Sequence, residues 1–309
     1  MGIKNMYKFI EKYAPEAIKL KSVLEYKNKS MGIDFNLMLY KLIYSLRMNG
    51  YDLKNNNVIV THIHTLLLKL IKFQQLNMIP VFVFDGKPPK IKEKEIYKRT
   101  KTWNKLAEKY KTATTKEDKK KYYYTKSDIT ESEINDCKKL ISIFGYTVIN
   151  APEEADGQLV QLYKTKLIDY IVSDDMDILL FGGGILLKKF SVATNKKIQE
   201  ISLDELKKNV DFTQYELIKF GVLLGSDYCD NIPISINKAY KIVKNNIETN
   251  IEKECKHALK YFEKPIYKNI NNIHYKNFVD VKELSIFLKG FYFSNEYIEK
   301  VINKIKDKL

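Results

Sequence analysis

Only two of the 53 basic residues are arginines, Arg47 and Arg99. The planar donor fork that grips a phosphate or carboxylate through two bonds is therefore available at two positions alone, in a chain biased towards Lys, Asn, Ile and Tyr. Cysteine is scarce as well. Cys137, Cys229 and Cys255 are odd in number, widely spaced and without a C-x-x-C pair, which supports neither a disulfide framework nor a cysteine zinc site and points to a reducing compartment. Four histidines supply no zinc site either: His62 and His64 fall on different faces of a helical stretch, and His257 and His274 are isolated. No apolar run approaches the ~18 residues of a membrane span. The opening MGIKNMYKFIEKYAPEAIKL lacks a signal-type apolar stretch, and Met6 stands where a myristoylation motif needs Ser or Thr. A soluble protein with no membrane partner is expected.

What the chain has in excess is positive charge. A net +15 over 309 residues is unevenly spread: residues 87–126 hold 15 Lys/Arg against 5 Asp/Glu, so two thirds of the excess lies in one internal block. Such a block can be a tail, a localisation signal or a solvated helix face. This one is interleaved with Tyr97, Trp103, Tyr110, Tyr122, Tyr123 and Tyr124, the combination that lines a channel for single-stranded nucleic acid; the plainer alternative is that these rings are core.

Around the block, strand and helix signals alternate. The apolar run 79–84 (IPVFVF) predicts a strand buried on both faces, and 168–172 (IDYIV) reads similarly. Helical spacing covers 35–47, 58–76 and 131–144, the last stopping at Gly145. This alternation predicts an α/β fold with a mainly parallel sheet. From about 211 only helices are expected: Thr213 and Glu216 form a capping box, Gly225 ends that helix, another starts near Ser235, and two more fill 280–309 with Ser294 as a cap.

Ligands of open parallel sheets bind beyond the carboxyl ends of the strands. Acids gather there: Asp34 after Gly32-Ile33, Asp85 after Val83-Phe84, and Asp174, Asp175 and Asp177 after Val172-Ser173. Glu153, Glu154 and Asp156 open a helix, and Asp227 follows LLGS. Singly, each suits a turn or a helix cap. Jointly they would repel unless divalent cations neutralised them, and an oxygen-only set suits Mg²⁺ or Mn²⁺. Acidic ligands beside a basic, aromatic-rich insertion describe phosphodiester hydrolysis with two metals about 4 Å apart.

The residues that carry this reading also match a known family. MGI at the start, GIDFNLMLY at 32–40, VFVFDGKPP at 81–89, APEEAD at 151–156, SDDMDILLFG at 173–182 and LLGSDYC at 223–229 closely resemble, in order and spacing, the motifs of flap endonucleases within the XPG-type structure-specific 5′ nuclease superfamily. The resemblance implies a PIN-like core over 1–210, its mainly parallel sheet flanked by helices, with a helical arch inserted at about 87–130. Residues 211–309 would form an all-helical DNA-binding part containing a helix-two-turn-helix-like motif. Seven acidic metal positions are implied, Asp34, Asp85, Glu154, Asp156, Asp175, Asp177 and Asp227, holding two Mg²⁺ ions for which Mn²⁺ can substitute. Asp156 replaces the more usual Glu, so its shorter side chain implies ligation through water.

By the same resemblance Lys92 and Arg99 contact the scissile phosphate and join Asp175 as catalytic residues. They are seven apart and share a helix face. Tyr40 would stack on the base beside the cut, and Arg47, placed on the same face opposite Leu39, Leu42, Ile43 and Leu46, would hold a nearby phosphate. Lys87, Lys238 and Lys241 complete the expected DNA-binding set. Two departures stand out. Where the family has a glycine-rich hairpin for duplex phosphate and K⁺, Asn231 to Lys238 contain no glycine, leaving Lys238 and Lys241 to compensate. Recruitment by a sliding clamp through a C-terminal box is not expected, since GFYF at 290–293 has no glutamine at the required offset and reads as packing.

The expected activity is that of a 5′ flap endonuclease with 5′-3′ exonuclease potential on branched DNA in replication and repair. An intracellular monomer is expected, in the nucleus or, for a viral chain, in the cytoplasm or at a viral replication site. Two other readings stay open: a junction- or bubble-specific nuclease of the same superfamily, and a non-catalytic scaffold. The full acid set argues against the last, since a polyanion binder gains nothing from it.

Overall fold

A computed structural model describes residues 2–125, 128–229, 233–274, 276 and 278–306. The chain begins with α1 (Met6–Tyr13), β1 (Ile18–Ser22), β2 (Ser30–Asp34) and α2 (Phe35–Arg47), followed by the small hairpin of β3 (Lys54–Asn55) and β4 (Val58–Ile59), then α3 (Thr61–Gln75) and β5 (Ile79–Phe84). The basic block forms α4 (Glu93–Thr112) and α5 (Lys116–Tyr122). After it come α6 (Glu131–Ile143), β6 (Thr147–Asn150), α7 (Ala155–Lys164), β7 (Tyr170–Val172), α8 (Asp177–Leu180), β8 (Ile185–Lys188) and β9 (Lys197–Ser202). Helices alone follow among the described residues: α9 (Leu203–Val210), α10 (Gln214–Leu224), α11 (Ile236–Lys244), α12 (Asn250–Glu254), α13 (Lys256–Glu263), α14 (Val281–Gly290) and α15 (Asn295–Lys306).

Seven strands form one sheet in the order β1-β9-β8-β7-β2-β5-β6. The pairs from β8 to β6 are parallel, and β9 and β1 are added antiparallel at one edge. The mainly parallel sheet flanked by helices is as expected. The interior strand β5, paired on both sides, shows why the run had to be apolar throughout: Val81 and Val83 enter the layer containing α1, α7, α8 and α10, while Phe82 and Phe84 enter the layer containing α2, α3 and α6. Capping boxes at Thr130/Glu133 and Thr213/Glu216 start α6 and α10. Gly225, at φ +101°, turns the chain out of α10 towards Asp227.

Three features go beyond the sequence pattern. The described helices after residue 211 divide between the two faces of the sheet: α10, α11 and α13 join the first face, whereas α14 and α15 pack on α6 and α3 on the other. Cys229 and Cys255, whose spacing supported no disulfide, are joined, with Cα atoms 5.6 Å apart; Cys137 is free and buried. The inference of a reducing compartment loses that support. Within the arch, Trp103 lies 5.8 Å from Tyr44 and 6.0 Å from Tyr124, and Tyr110 meets Tyr123 edge-on at 5.9 Å, so most of these rings anchor the arch on itself and on α2. Tyr97 alone of them stands fully open, 69% exposed. No helix among the described residues is long and apolar enough to cross a membrane.

Candidate metal centre and nucleic-acid interface

Parallel strands deliver the acids to one edge of the sheet. Asp34 ends β2 and caps α2, Oδ1 accepting from Leu37 N (3.1 Å) while Oδ2 accepts from Ser173 Oγ beyond β7 (3.0 Å). Asp85, after β5, accepts from Ala155 N in the first turn of α7 (2.8 Å). Asp175 N donates to Ser173 Oγ (3.1 Å), and Asp175 Oδ1 accepts from Asp177 N (3.0 Å). The cap and turn roles are thus real, and the residues that fill them converge on one site.

Asp156, Asp175 and Asp177 each place a carboxylate oxygen within 4.8 Å of the other two. Asp177 is 0% exposed, and neither of its oxygens has a hydrogen-bond partner. Burial, and next the charge of Asp175, push the carboxyls of Asp156 and Asp177 well above their ordinary range. Burial and the charge of Asp85 push Asp34 up to about 7, against the hydrogen bonds from Leu37 and Ser173. Asp156 also lies in the fields of Asp34 and Glu154, and Asp177 in those of Asp227 and Glu154. Of the seven acids named from the sequence, Asp156, Asp175 and Asp177 thus stand within ligand distance of one another, and the charges of the other four act on these carboxyls or on Asp34. A buried carboxylate with no donor is costly unless a cation answers it, and this all-oxygen set fits a hard divalent ion. The backbone closes in too: Gly2, at φ +77°, packs so tightly that a Cβ there would overlap Asp175 and come 2.7 Å from Asp177 Oδ1.

The arch supplies the opposing charge. Lys92 is ion-paired with Glu154, and Arg99 with Asp227 and with Glu95 (3.1 Å). Burial works against the Lys92 ammonium, but the Glu154 carboxylate prevails and holds it above the ordinary lysine range. Tyr40, 38% exposed, lies 5.3 Å from Tyr44 on α2. Lys87 is exposed after β5, and Lys238 and Lys241 are exposed on α11; Asn231 and Ile232 of the glycine-poor segment lie outside the described residues.

Arg47 is a correction. It is 1% exposed, and its Nε bonds Asp52 Oδ1 (3.0 Å), so it is not on the surface opposite the leucines of α2. Asp52 also accepts from Thr61 Oγ1 (3.1 Å) and from Tyr123 OH (3.2 Å), which ties α2, α3 and the far foot of the arch together.

A cavity of about 600 Å³ that no sequence motif marks lies beside Asp34 and Ser173. Its walls carry Leu37, Met38 and Phe190, and its rim Lys41, Lys69, Lys189, Lys196 and Lys197. Burial pushes the ammonium groups of Lys69 and neighbouring Lys188 down to about 8. Nothing marks these lysines in a chain so rich in lysine. Tyr228, which donates to Glu154 Oε2 (2.6 Å), also escaped notice, although it sits inside the LLGSDYC motif.

The chain matches the XPG N-terminal domain over residues 1–105 and the XPG I-region over 145–227. Flap endonuclease 1 of Enterocytozoon bieneusi is 30% identical over 250 residues, which cover 79% of this chain and 70% of that protein. The chain belongs to the flap endonucleases of the XPG family. Flap endonuclease 1 of Theileria parva is 30% identical over 322 residues, 99% of this chain and 65% of that protein. The Ajellomyces dermatitidis protein of the same name is 31% identical over 253 residues, 80% of this chain and 64% of its own length. Against these last two flap endonucleases the chain thus spans just under two thirds of their length.

Solved structures share the fold. The catalytic core of Rad2 in complex with DNA substrate superposes at a TM-score of 0.75 with 19% identity, covering 98% of this chain and all of that one. Flap endonuclease-1 from Methanococcus jannaschii gives 0.71 with 23% identity and 96% of each chain. Human GEN1 in complex with Holliday junction DNA gives 0.71 with 16% identity over 98% of this chain and 77% of its own.

Proposed function

We propose that this flap endonuclease family member is a structure-specific 5′ nuclease that cuts branched DNA at a 5′ single-stranded flap, using two Mg²⁺ ions held by Asp34, Asp85, Glu154, Asp156, Asp175, Asp177 and Asp227. One observation carries the reading: a buried, unpartnered Asp177 carboxylate clustered with Asp156 and Asp175, with two cations of the basic arch paired to the neighbouring acids Glu154 and Asp227. When bound by these acids, divalent ions would supply water activation and neutralise charge on the scissile phosphate. Lys92 and Arg99 exchange Glu154 and Asp227 for the phosphate oxygens of the strand entering the arch, Arg99 through its bidentate fork. Tyr40 offers its exposed ring to the unpaired base next to the cut. Lys238, Lys241 and the lysines of the cavity rim hold the duplex by charge, without reading its sequence.

The test is a panel of labelled 5′-flap, bubble and four-way-junction substrates with Mg²⁺, Mn²⁺ or EDTA. Flap cleavage lost in EDTA is expected. Asp175→Ala should lower the rate by more than about 100-fold, beyond the usual cost of losing an outer partner of a metal ligand, while flap binding persists. Full cleavage by Asp175→Ala sinks the assignment. Preference for the four-way junction moves the protein to the branch of GEN1, and inactivity on every substrate leaves a binding scaffold.

A further inference from the structure

Glu153 precedes Glu154 and lies outside the seven-acid set. In the fold it accepts a hydrogen bond from Tyr261 of α13 (2.9 Å to Oε2). One residue on, Glu154 Oε2 accepts from Tyr228 (2.6 Å), while its Oε1 pairs with Lys92. The two phenol rings lie against each other, centroids 5.0 Å apart, and Phe262 packs 5.0 Å from Tyr228. The Lys92 ammonium sits 5.0 Å from the centroid of the Tyr228 ring. The backbone of the acid pair is held as well: Gly86 N donates to Glu153 O (2.6 Å) and Lys87 N to Pro152 O (3.3 Å). The disulfide ties Cys229, next to Tyr228, to Cys255 at the start of α13.

Two neighbouring carboxylates would otherwise swing and repel. A phenol turns about only two side-chain bonds, and its O–H···O⁻ bond is charge-assisted, so a tyrosine pair packed ring against ring is a stiff way to fix two flexible glutamates. Tyr261 holds Glu153 by Oε2. Tyr228 occupies one oxygen of Glu154 and leaves the other to a cation, here Lys92.

We infer that Tyr261 is a positioning residue of the metal centre: through Glu153 and the Tyr228 ring, α13 holds the Glu154 carboxylate with a single oxygen presented to a cation. The inference rests on the metal-dependent reading above and adds an element outside the acid cluster that tunes its affinity.

The experiment measures Mn²⁺ binding to the DNA-free protein by calorimetry, and the Mg²⁺ dependence of flap cleavage, for the native chain and for Tyr228→Phe, Tyr261→Phe, Glu153→Gln and the Tyr261→Phe/Glu153→Gln double variant. Tyr228→Phe should weaken Mn²⁺ binding about 10-fold, as loss of a ligand's hydrogen-bond partner does, and Tyr261→Phe, one step further out, about threefold. In Tyr261→Phe the Mg²⁺ concentration for half-maximal cleavage should rise by a similar factor, with KM for the flap unchanged and the rate restored at saturating Mg²⁺. Because Tyr261 and Glu153 act as one unit, the double variant should match the single ones. Native Mn²⁺ affinity in Tyr261→Phe, additive losses in the double variant, or a rate deficit that Mg²⁺ does not restore would each overturn the inference. A native protein that binds Mn²⁺ but cuts no DNA removes the activity reading and leaves the Mn²⁺ comparison to decide this one.

Discussion

Arg47 shows how much one residue's surroundings matter. Seven residues after Tyr40, helical geometry puts it on the Tyr40 face proposed for DNA, yet it is the last residue of α2 and is buried with Asp52 as its partner. Removing one member of a buried, hydrogen-bonded ion pair leaves the other charge stranded, at a cost of about 3–5 kcal/mol. Arg47→Ala is therefore expected to lose stability on that scale in urea unfolding, because Asp52 keeps its charge without its cation. A variant of native stability that instead binds flap DNA more weakly would return Arg47 to the phosphate role. The acids behave differently: Asp34 and Asp85 were recognisable as turn or cap formers and as candidate ligands alike, and in the fold Asp34 caps α2 while Asp85 accepts from the first turn of α7.

Among the elements, the arch was legible in outline. Its charge and its helical length appear in the local composition, and α4 buries none of its residues, as a solvated helix should. Which rings pack and which face the strand was not legible, since Trp103 and Tyr124 find Tyr44 on α2 only when the arch closes over it. The cavity between α2, α3 and β8 carries a pH dependence of its own. Lys69 and Lys188 lose their charge as pH rises through about 8, instead of near 10 as exposed lysines do. Phosphate binding there favours the charged form, so flap affinity should fall from pH 7 to pH 9. The slope of log affinity against log salt should shrink by about 0.9 for each phosphate that is no longer neutralised. Lys69→Arg, charged throughout, should abolish part of that pH dependence. Equal salt slopes for the native protein at pH 7 and pH 9 would exclude these lysines from the interface.

For the molecule as a whole, the net charge of +15 conceals an acidic centre beneath a basic arch. That separation has a thermodynamic signature. The Asp34 carboxyl lies at about 7 in the fold, above its ordinary value of 3.8, so between those values the native state holds a proton that the unfolded chain has released. Stability of the metal-free protein must then fall as pH rises through this window, and the repulsion is fully present above 7. Divalent cations relieve it and compete with protons for the same oxygens. In EDTA the Tm should be lower at pH 8 than at pH 5.5, and Mg²⁺ at about 100 times its Kd should add about 2.7 kcal/mol at pH 8 and distinctly less at pH 5.5. Equal Mg²⁺ increments at both pH values would contradict a centre built from raised carboxyls.

The sequence by itself determined the strands that end in acids, the caps that start α6 and α10, the basic insertion and the family. These depend on residues a few positions apart, on the alternation of buried faces and on motif order. Tertiary structure alone decided that Arg47 is internal, that Cys229 meets Cys255, that scattered lysines ring one cavity, that α14 and α15 leave α10 for the opposite face, and that Tyr261 reaches Glu153 across 108 positions. Each of these joins segments far apart in the chain, and neither composition nor periodicity within a segment specifies what lies against it.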